Sequence, residues 1–170
     1  INDSGNRYWL DVLENGETAR WANFFDIDWD AIPQTLKHRV LQPVLGRPFG
    51  AALEQGELRV VYAERRLQVE YFDRRFPLTP RTWPVVLQVV VERLADNSQA
   101  GDENKSSQEE RRLSRIERTE LESIIAQLRH LPASGDNSAT ALRERYREQR
   151  IARRRLAHLV GKRPRVLAAL

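Results

Sequence analysis

The stretch that decides the fold is residues 58–72, LRVVYAERRLQVEYF, which contains two runs of strand-forming residues. In each run the side chains alternate between two sets, as expected for a strand with two different faces. Because only Glu64 and Arg65 separate the runs, we predict an antiparallel hairpin, although these residues do not indicate a turn type. An isolated hairpin is marginally stable, so it must pack on helices or pair with another strand. Residues 39–45 are apolar and β-branched enough for that strand, which Pro43 would keep at an edge.

Helical patterns flank the hairpin on both sides. Residues 8–15 carry apolar side chains at helical spacing, and Gly16 suits the left-handed stop. Residues 73–80 leave the hairpin as an irregular segment. Residues 82–94 are predicted to form a helix that is apolar nearly all round, so we expect it to be buried. The polar residues 95–108 predict a mobile loop.

Two long helices are predicted after this loop. The buried stripe of the first is predicted from six apolar residues: Leu113, Ile116, Leu121, Ile124, Ile125 and Leu128. The second begins at Ser138 or Thr140 and runs to about Val160. Its stripe is Leu142, Tyr146, Ile151, Leu156, Leu159 and Val160. Joined by a short connection, the two should pack as an antiparallel helical hairpin. The predicted fold class is therefore α+β, mainly α-helical, with a small antiparallel sheet.

Composition bounds the classes of function. The chain has 170 residues, which suits one domain, and 41% of them are hydrophobic. It contains no cysteine, which excludes disulfides and thiolate catalysis and fits a reducing compartment such as the cytoplasm. No apolar run is long enough to span a membrane. The chain also lacks methionine and starts at Ile1, so we expect it to be a fragment of a longer protein.

Residues 24–30, FFDIDWD, join aromatic side chains to alternating acids. As a strand, this segment would place Phe25, Ile27 and Trp29 on one face and the three acids on the other. Aromatic platforms beside carboxylates can hold sugars, but a plain edge strand with a solvated acidic face would show the same spacing. Calcium loops need more oxygen ligands and a glycine, so no metal site is predicted.

Two sets of arginines follow. Arg74 and Arg75 follow a predicted strand and precede an irregular, proline-fixed turn, which suits guanidinium contacts to carboxylates or sugar hydroxyls. The alternative is a salt bridge to one of the acids at 26–30. The helix over 143–155 holds seven arginines, and nucleic-acid binding is one interpretation. Because Glu144 and Glu148 interleave and the aromatic residues lie elsewhere, a solvated or partner-facing helix is favoured.

Several motifs together resemble the maltooligosyltrehalose synthase family of the alpha-amylase superfamily. The resemblance lies in five motifs in order, YWLDVLENG at 8–16, FFDIDW at 24–29, VLG at 44–46, GEL at 56–58 and RFPL at 75–78. Two later runs are also similar, LRHLP at 128–132 and the residues around RRRL at 153–156. One departure is Arg74, whose position is often His in the family.

The resemblance implies a parent enzyme with a (β/α)8 barrel, into which residues 1–170 are inserted as a single subdomain. Its aromatic-rich α/β part would be 1–80 and its helical part 81–170. The implied reaction converts the reducing-end α-1,4 bond of a maltooligosaccharide into an α,α-1,1 bond through two carboxyl groups. The family's catalytic carboxylates lie on barrel strands outside this chain, so no catalytic residue is predicted here and the chain alone is expected to be inactive.

The predicted partners are the maltooligosaccharide substrate and the rest of the barrel, with no cofactor, metal, nucleic acid or membrane. The predicted substrate contacts are Tyr8, Trp9, Phe25, Asp26, Asp28, Trp29, Arg74 and Arg75. Two alternatives of other classes remain open. One is a non-catalytic interaction module that uses the arginine-rich helix, and the other is a free-standing carbohydrate-binding domain.

Overall fold

The computed structural model describes residues 5–30, 34–99, 105–133 and 136–170. The chain divides into two compact units, the first Ile1–Thr79 with Ala133–Leu142 and the second Pro80–Pro132 with Arg143–Leu170. Its α-helices are α1 Arg7–Asn15, α2 Phe49–Glu54, α3 Trp83–Gln99, α4 Lys105–Arg129, α5 Ala139–Lys162 and α6 Pro164–Ala168. Its strands are β1 Leu58–Ala63, β2 Arg66–Tyr71 and β3 Arg74–Pro77. The predicted α+β class with mainly helical content is confirmed.

The first unit is built on a three-stranded antiparallel sheet in the order β1-β2-β3. The predicted hairpin is confirmed, with Val60 opposite Val69 and Ala63 opposite Arg66. Both turn residues have positive φ, 51° at Glu64 and 61° at Arg65. This pattern is that of a type I′ turn, whose backbone twist matches the strands it joins.

The hairpin's other neighbour differs from the prediction. Residues 39–45 form no strand; Pro43 has no N–H to give to a ladder, and the Val44 N–H donates to Gln42 instead. Residues 74–77, predicted to be irregular, form β3 and pair with β2. A two-residue turn brings β3 to β2, so little chain entropy is lost in closing the pair.

Helix α1 forms as predicted and carries the small core of the first unit. The Asn6 side chain accepts from the backbone N–H groups of Tyr8 and Trp9, and Gly16 ends the helix at φ 64°. Trp9 and Val12 are buried, and half-buried apolar residues pack over them. The packed residues are Leu13, Trp21, Phe25, Ile27, Trp29 and Val40.

In the second unit, α3 buries one face only. Trp83, Leu87, Val90 and Leu94 are buried at helical spacing, but Val85 is 70% exposed. The prediction of burial all round is therefore wrong. The predicted loop over 95–108 is also wrong in part, because α3 continues to Gln99 and α4 begins at Lys105. Residues 100–104 lie outside the described residues.

Helices α4 and α5 run antiparallel, as predicted. Contacts join Gln127 to Glu148 and Glu120 to Arg155, and Glu117 contacts Arg163, the residue after α5. The residue numbers of α4 therefore fall along the pair as those of α5 rise, which is the antiparallel arrangement. The prediction of burial is wrong for two residues of the stripes, since Ile116 is 48% exposed and Ile151 is 38% exposed. Polar side chains are buried in these helices instead. They are Ser114, Glu117, Arg145 and Gln149.

Candidate functional site

Four predicted site residues are aromatic, and the structure places them differently. Trp9 is 4% exposed and packs on Phe25 with ring centroids 5.0 Å apart. Tyr8 is half-buried; its ring meets Trp21 edge-on at 4.6 Å, and its hydroxyl accepts from Arg7 at 2.7 Å. Phe25 and Trp29 are also half-buried. Trp9 is therefore a core residue with little surface left for a ligand, whereas the other three keep accessible ring area.

Residues 25–30 keep the predicted alternation without forming a strand. Phe25, Ile27 and Trp29 pack towards the core, and Asp26, Asp28 and Asp30 are exposed. We call these three acids the acidic ridge. In the ridge, Asp28 Oδ1 accepts from the Asp30 N–H at 3.0 Å, and Asp30 pairs with Lys37 at 3.3 Å. The ridge thus presents carboxylate oxygens to solvent over an apolar base.

The two predicted arginines lie on β3 and are exposed. Arg75 Nε donates to Glu70 Oε2 at 2.8 Å across the sheet. In the described ranges no ion pair joins the acidic ridge to Arg74 or Arg75. The alternative of a salt bridge to residues 26–30 is therefore wrong for Arg75, because a cross-strand neighbour holds its guanidinium.

The structure also contains a groove that the sequence did not predict. Strand alternation places Gln68 and Glu70 on one face of β2, opposite Leu67, Val69 and Tyr71. An open cavity of about 270 Å³ is lined by that face of the sheet, by both hairpin turns and by α1 with the residue Gly5 before it. Its lining, which we call the polar groove, is Gly5, Leu10, Glu64, Gln68, Glu70, Phe72, Asp73 and Arg75.

Gln68 is the unusual residue of the polar groove. It is 4% exposed, and within the described ranges its buried Oε1 has no hydrogen-bond partner. Leaving a buried polar atom unpaired costs about 1–3 kcal/mol, so native structures rarely do so without a reason. An unmet amide next to a cavity is therefore an indication that the cavity receives a hydrogen-bonding ligand.

Two contacts join β2 to the segments around it. Glu14 of α1 is 2% exposed and lies 3.8 Å from Arg66 Nε of β2. Tyr71, at the end of β2, accepts the Gly46 N–H at 3.0 Å through its hydroxyl. A Cβ at position 46 would lie 3.5 Å from that hydroxyl, which is an ordinary van der Waals distance. Glycine is therefore not required at this position by lack of space, and the hydrogen bond is what joins the loop to β2. Of the two contacts, the one between Glu14 and Arg66 links α1 to β2, the two elements that contribute Leu10 and Gln68 to the groove.

Part of this site was visible in the sequence. The alternation of β2 already put Gln68, Glu70 and Phe72 on one face, but that face looked like ordinary solvated surface. Leu10 of α1, which is distant in sequence, lines the groove together with Gln68. Asp73 lines the groove because it lies in the turn between β2 and β3, and the sequence did not predict the strand β3.

The arginine-rich helix has two populations of side chains. Arg145 is buried, and Arg155 donates to Glu120, Ser123 and Gln127 of α4 at 2.8–3.0 Å. In contrast, the exposed arginines recur every three or four residues along one face of α5. We call this set the basic stripe: Arg143, Arg147, Arg150 and Arg154. Burial and cross-helix hydrogen bonds therefore account for only part of the arginine content.

The comparisons identify no relative. No protein-family model, curated protein or solved structure matches the chain. Among the described residues, no cluster of His, Asp and Glu could hold a metal ion. No helix in the described ranges has the length and apolar character needed to cross a membrane.

Proposed function

We propose that the chain is the substrate-cleft subdomain of an intramolecular transglucosylase of the maltooligosyltrehalose synthase type. In this proposal it is inserted in a (β/α)8 barrel and works in the cytoplasm. The parent enzyme would convert the reducing-end α-1,4 bond of a maltooligosaccharide into an α,α-1,1 bond. The proposal is supported by the ordered motifs over 8–78 and, above all, by the acidic ridge exposed over its aromatic base.

Each exposed group has a chemical use in such a cleft. A carboxylate accepts hydrogen bonds from sugar hydroxyls, which suits Asp26 and Asp28. The half-buried ring of Trp29 offers a flat apolar face to the C–H side of a pyranose. Arg74 supplies donors, since a guanidinium carries five N–H groups. Trp9 contributes indirectly by packing against Phe25.

The proposed role is to hold the released glucose while it turns. In a retaining mechanism, a covalent glycosyl intermediate forms and the freed sugar must then attack it through a different hydroxyl. Water that reaches the intermediate first gives hydrolysis instead. A subdomain that covers the cleft and binds the freed sugar favours transfer, because it keeps the acceptor in place and excludes water. The carboxyl groups of the chemistry would come from the barrel.

The test is the partition between transfer and hydrolysis in the full-length protein that carries this chain. Maltopentaose is the substrate; isomerisation removes the reducing end without changing the mass, whereas hydrolysis yields smaller sugars. We expect Trp29→Ala to raise the hydrolysed share about tenfold. This corresponds to a loss of roughly 1.4 kcal/mol in the free energy that favours transfer to the freed sugar over hydrolysis. A matched control is Phe24→Ala, because Phe24 is 76% exposed in the same segment and is not a predicted contact.

Two results would count against the proposal. A full-length protein that leaves the reducing ends of maltopentaose intact would overturn the reaction itself. An isomerising protein whose product ratio is the same in the wild type and in the Trp29→Ala variant would remove Trp29 from the cleft and leave the reaction standing.

A further inference from the structure

We infer that the polar groove is a binding site for one ring of a neutral, hydroxyl-rich ligand, of which a pyranose is the natural example. Apart from Arg75, its lining residues are not those assigned to the cleft above. The inference goes beyond the proposed function, because it concerns the chain alone and needs no isomerisation.

Gln68 sets the chemistry of the ligand. Its amide is buried at the groove, and its Oε1 lacks a hydrogen-bond partner among the described residues. An amide offers an acceptor and donors, and rotation by 180° exchanges their positions. A hydroxyl both donates and accepts, so it satisfies this group in either orientation, whereas an ammonium can only donate.

The charged groups of the groove extend the same preference. Arg75 and Glu70 pair with each other, so their remaining donor and acceptor positions lie side by side. Glu64 and Asp73 add two more carboxylates, which gives the lining three acids and one base. This balance disfavours phosphates and other anions. Adjacent donors and acceptors instead match the neighbouring hydroxyls of a sugar ring.

Phe72 provides the apolar partner. Its side chain is 66% exposed at the groove, and its ring meets Tyr71 edge-on at 4.6 Å. Its φ is 52°, in the left-handed region that bulky residues rarely adopt. The two-residue β2–β3 turn requires this φ, so the turn fixes the position of the Phe72 ring at the groove. The exposed ring can cover the apolar face of a pyranose whose hydroxyls point to Gln68 and Glu70.

The size of the groove limits the ligand to about one ring. Its volume of about 270 Å³ falls just below the roughly 300–1,000 Å³ of pockets that enclose drug-sized molecules. It is also open, so a longer saccharide can extend from it into solvent. An open site of this size should bind weakly, with a dissociation constant on the order of 1 mM.

The experiment is a titration of the 170-residue chain with maltose, followed by backbone amide NMR shifts. We expect saturable shifts in β2 and the β2–β3 turn. Phe72→Gly should weaken binding about tenfold, because it removes the ring, and it should leave the fold intact, because glycine adopts a positive φ without strain. Gln68→Met, which keeps the length but removes the amide, should weaken binding at least as much. Phe24→Ala is the control; it removes a ring of similar exposure outside the groove, and it should bind as the wild type does.

Three outcomes would overturn the inference. The first is the absence of saturation at tens of millimolar maltose, and the second is wild-type affinity in either Phe72→Gly or Gln68→Met. The third is methylammonium binding more tightly than maltose, which would make the groove a cation site. Because the isolated chain is titrated, none of these results depends on whether the full-length protein isomerises maltopentaose.

Discussion

At the scale of the residue, Glu117 is a buried carboxylate, and the free energy that its burial costs the folded state can be measured. It is 2% exposed, and Arg163 Nε lies 3.7 Å from its Oε1. Its Oε2 accepts no hydrogen bond from the part of the chain that the structure describes. Burial raises the pKa of the Glu117 carboxyl above its ordinary 4.5, and the charges of Arg163 and Arg165 offset only part of the rise. The folded state therefore favours the protonated acid more than the unfolded state does.

This shift gives a pH-dependent prediction with a definite sign. For an acid whose folded pKa is raised, stability is lost as the pH rises from the unfolded pKa through the folded pKa. Glu117→Gln keeps the shape without the charge, so its free energy of unfolding relative to wild type should rise from about pH 4 to about pH 7. Urea unfolding at both pH values measures this. Glu122→Gln, at an exposed position of the same helix, is the control, and an equal change in both variants would contradict the assignment.

At the scale of the element, the β1–β2 turn is held by residues that do not favour it. Glu64 and Arg65 both have positive φ, for which a non-glycine residue gives up about 1 kcal/mol or more. Replacing the pair by Asn-Gly, the preferred type I′ sequence, should raise the free energy of unfolding by about 1 kcal/mol. Urea unfolding tests this. Arg65→Ala keeps a Cβ in the strained position and should give no gain; a gain from alanine alone would show that side-chain repulsion, not backbone strain, is being relieved.

The same turn shows what sequence could predict. The hairpin was predictable because alternation is a local signal that runs through both strands. Its turn type was not, because the strands impose the positive φ on Glu64 and Arg65. Strand β3 was missed because Arg74 and Arg75 look like loop residues and Pro77 opposes a strand, whereas pairing to β2 overrides both preferences.

The helices show a second limit of the same kind. Apolar spacing correctly selected Leu121, Ile124 and Leu128, but it also selected Ile116 and Ile151, which are exposed. A long polar side chain can bury its aliphatic stem, so burial in α5 includes residues that no hydrophobic pattern selects. For the candidate site, the sequence predicted the alternation of the acidic ridge, but the unpaired amide oxygen of Gln68 depends on three-dimensional packing alone.

At the scale of the whole molecule, the chain carries two kinds of polar surface that respond differently to salt. The basic stripe on α5 has four exposed arginines, and the chain has a formal net charge of +4. A ligand held by four phosphate contacts would release counterions, so a fourfold rise in salt would weaken its binding roughly a hundredfold. A neutral sugar releases none.

We therefore expect the affinity of the chain for maltose to change by less than about twofold between roughly 50 and 200 mM salt. The double substitution Arg150→Gln with Arg154→Gln, which removes half of the basic stripe, should leave that affinity unchanged, because the ligand has no charge for the stripe to attract. Calorimetric titration at the two salt concentrations makes both measurements. A steep fall in affinity with salt, or a loss in the double variant, would mean that charge rather than hydroxyl recognition drives binding. That result would favour the interaction-module alternative over a sugar-binding one.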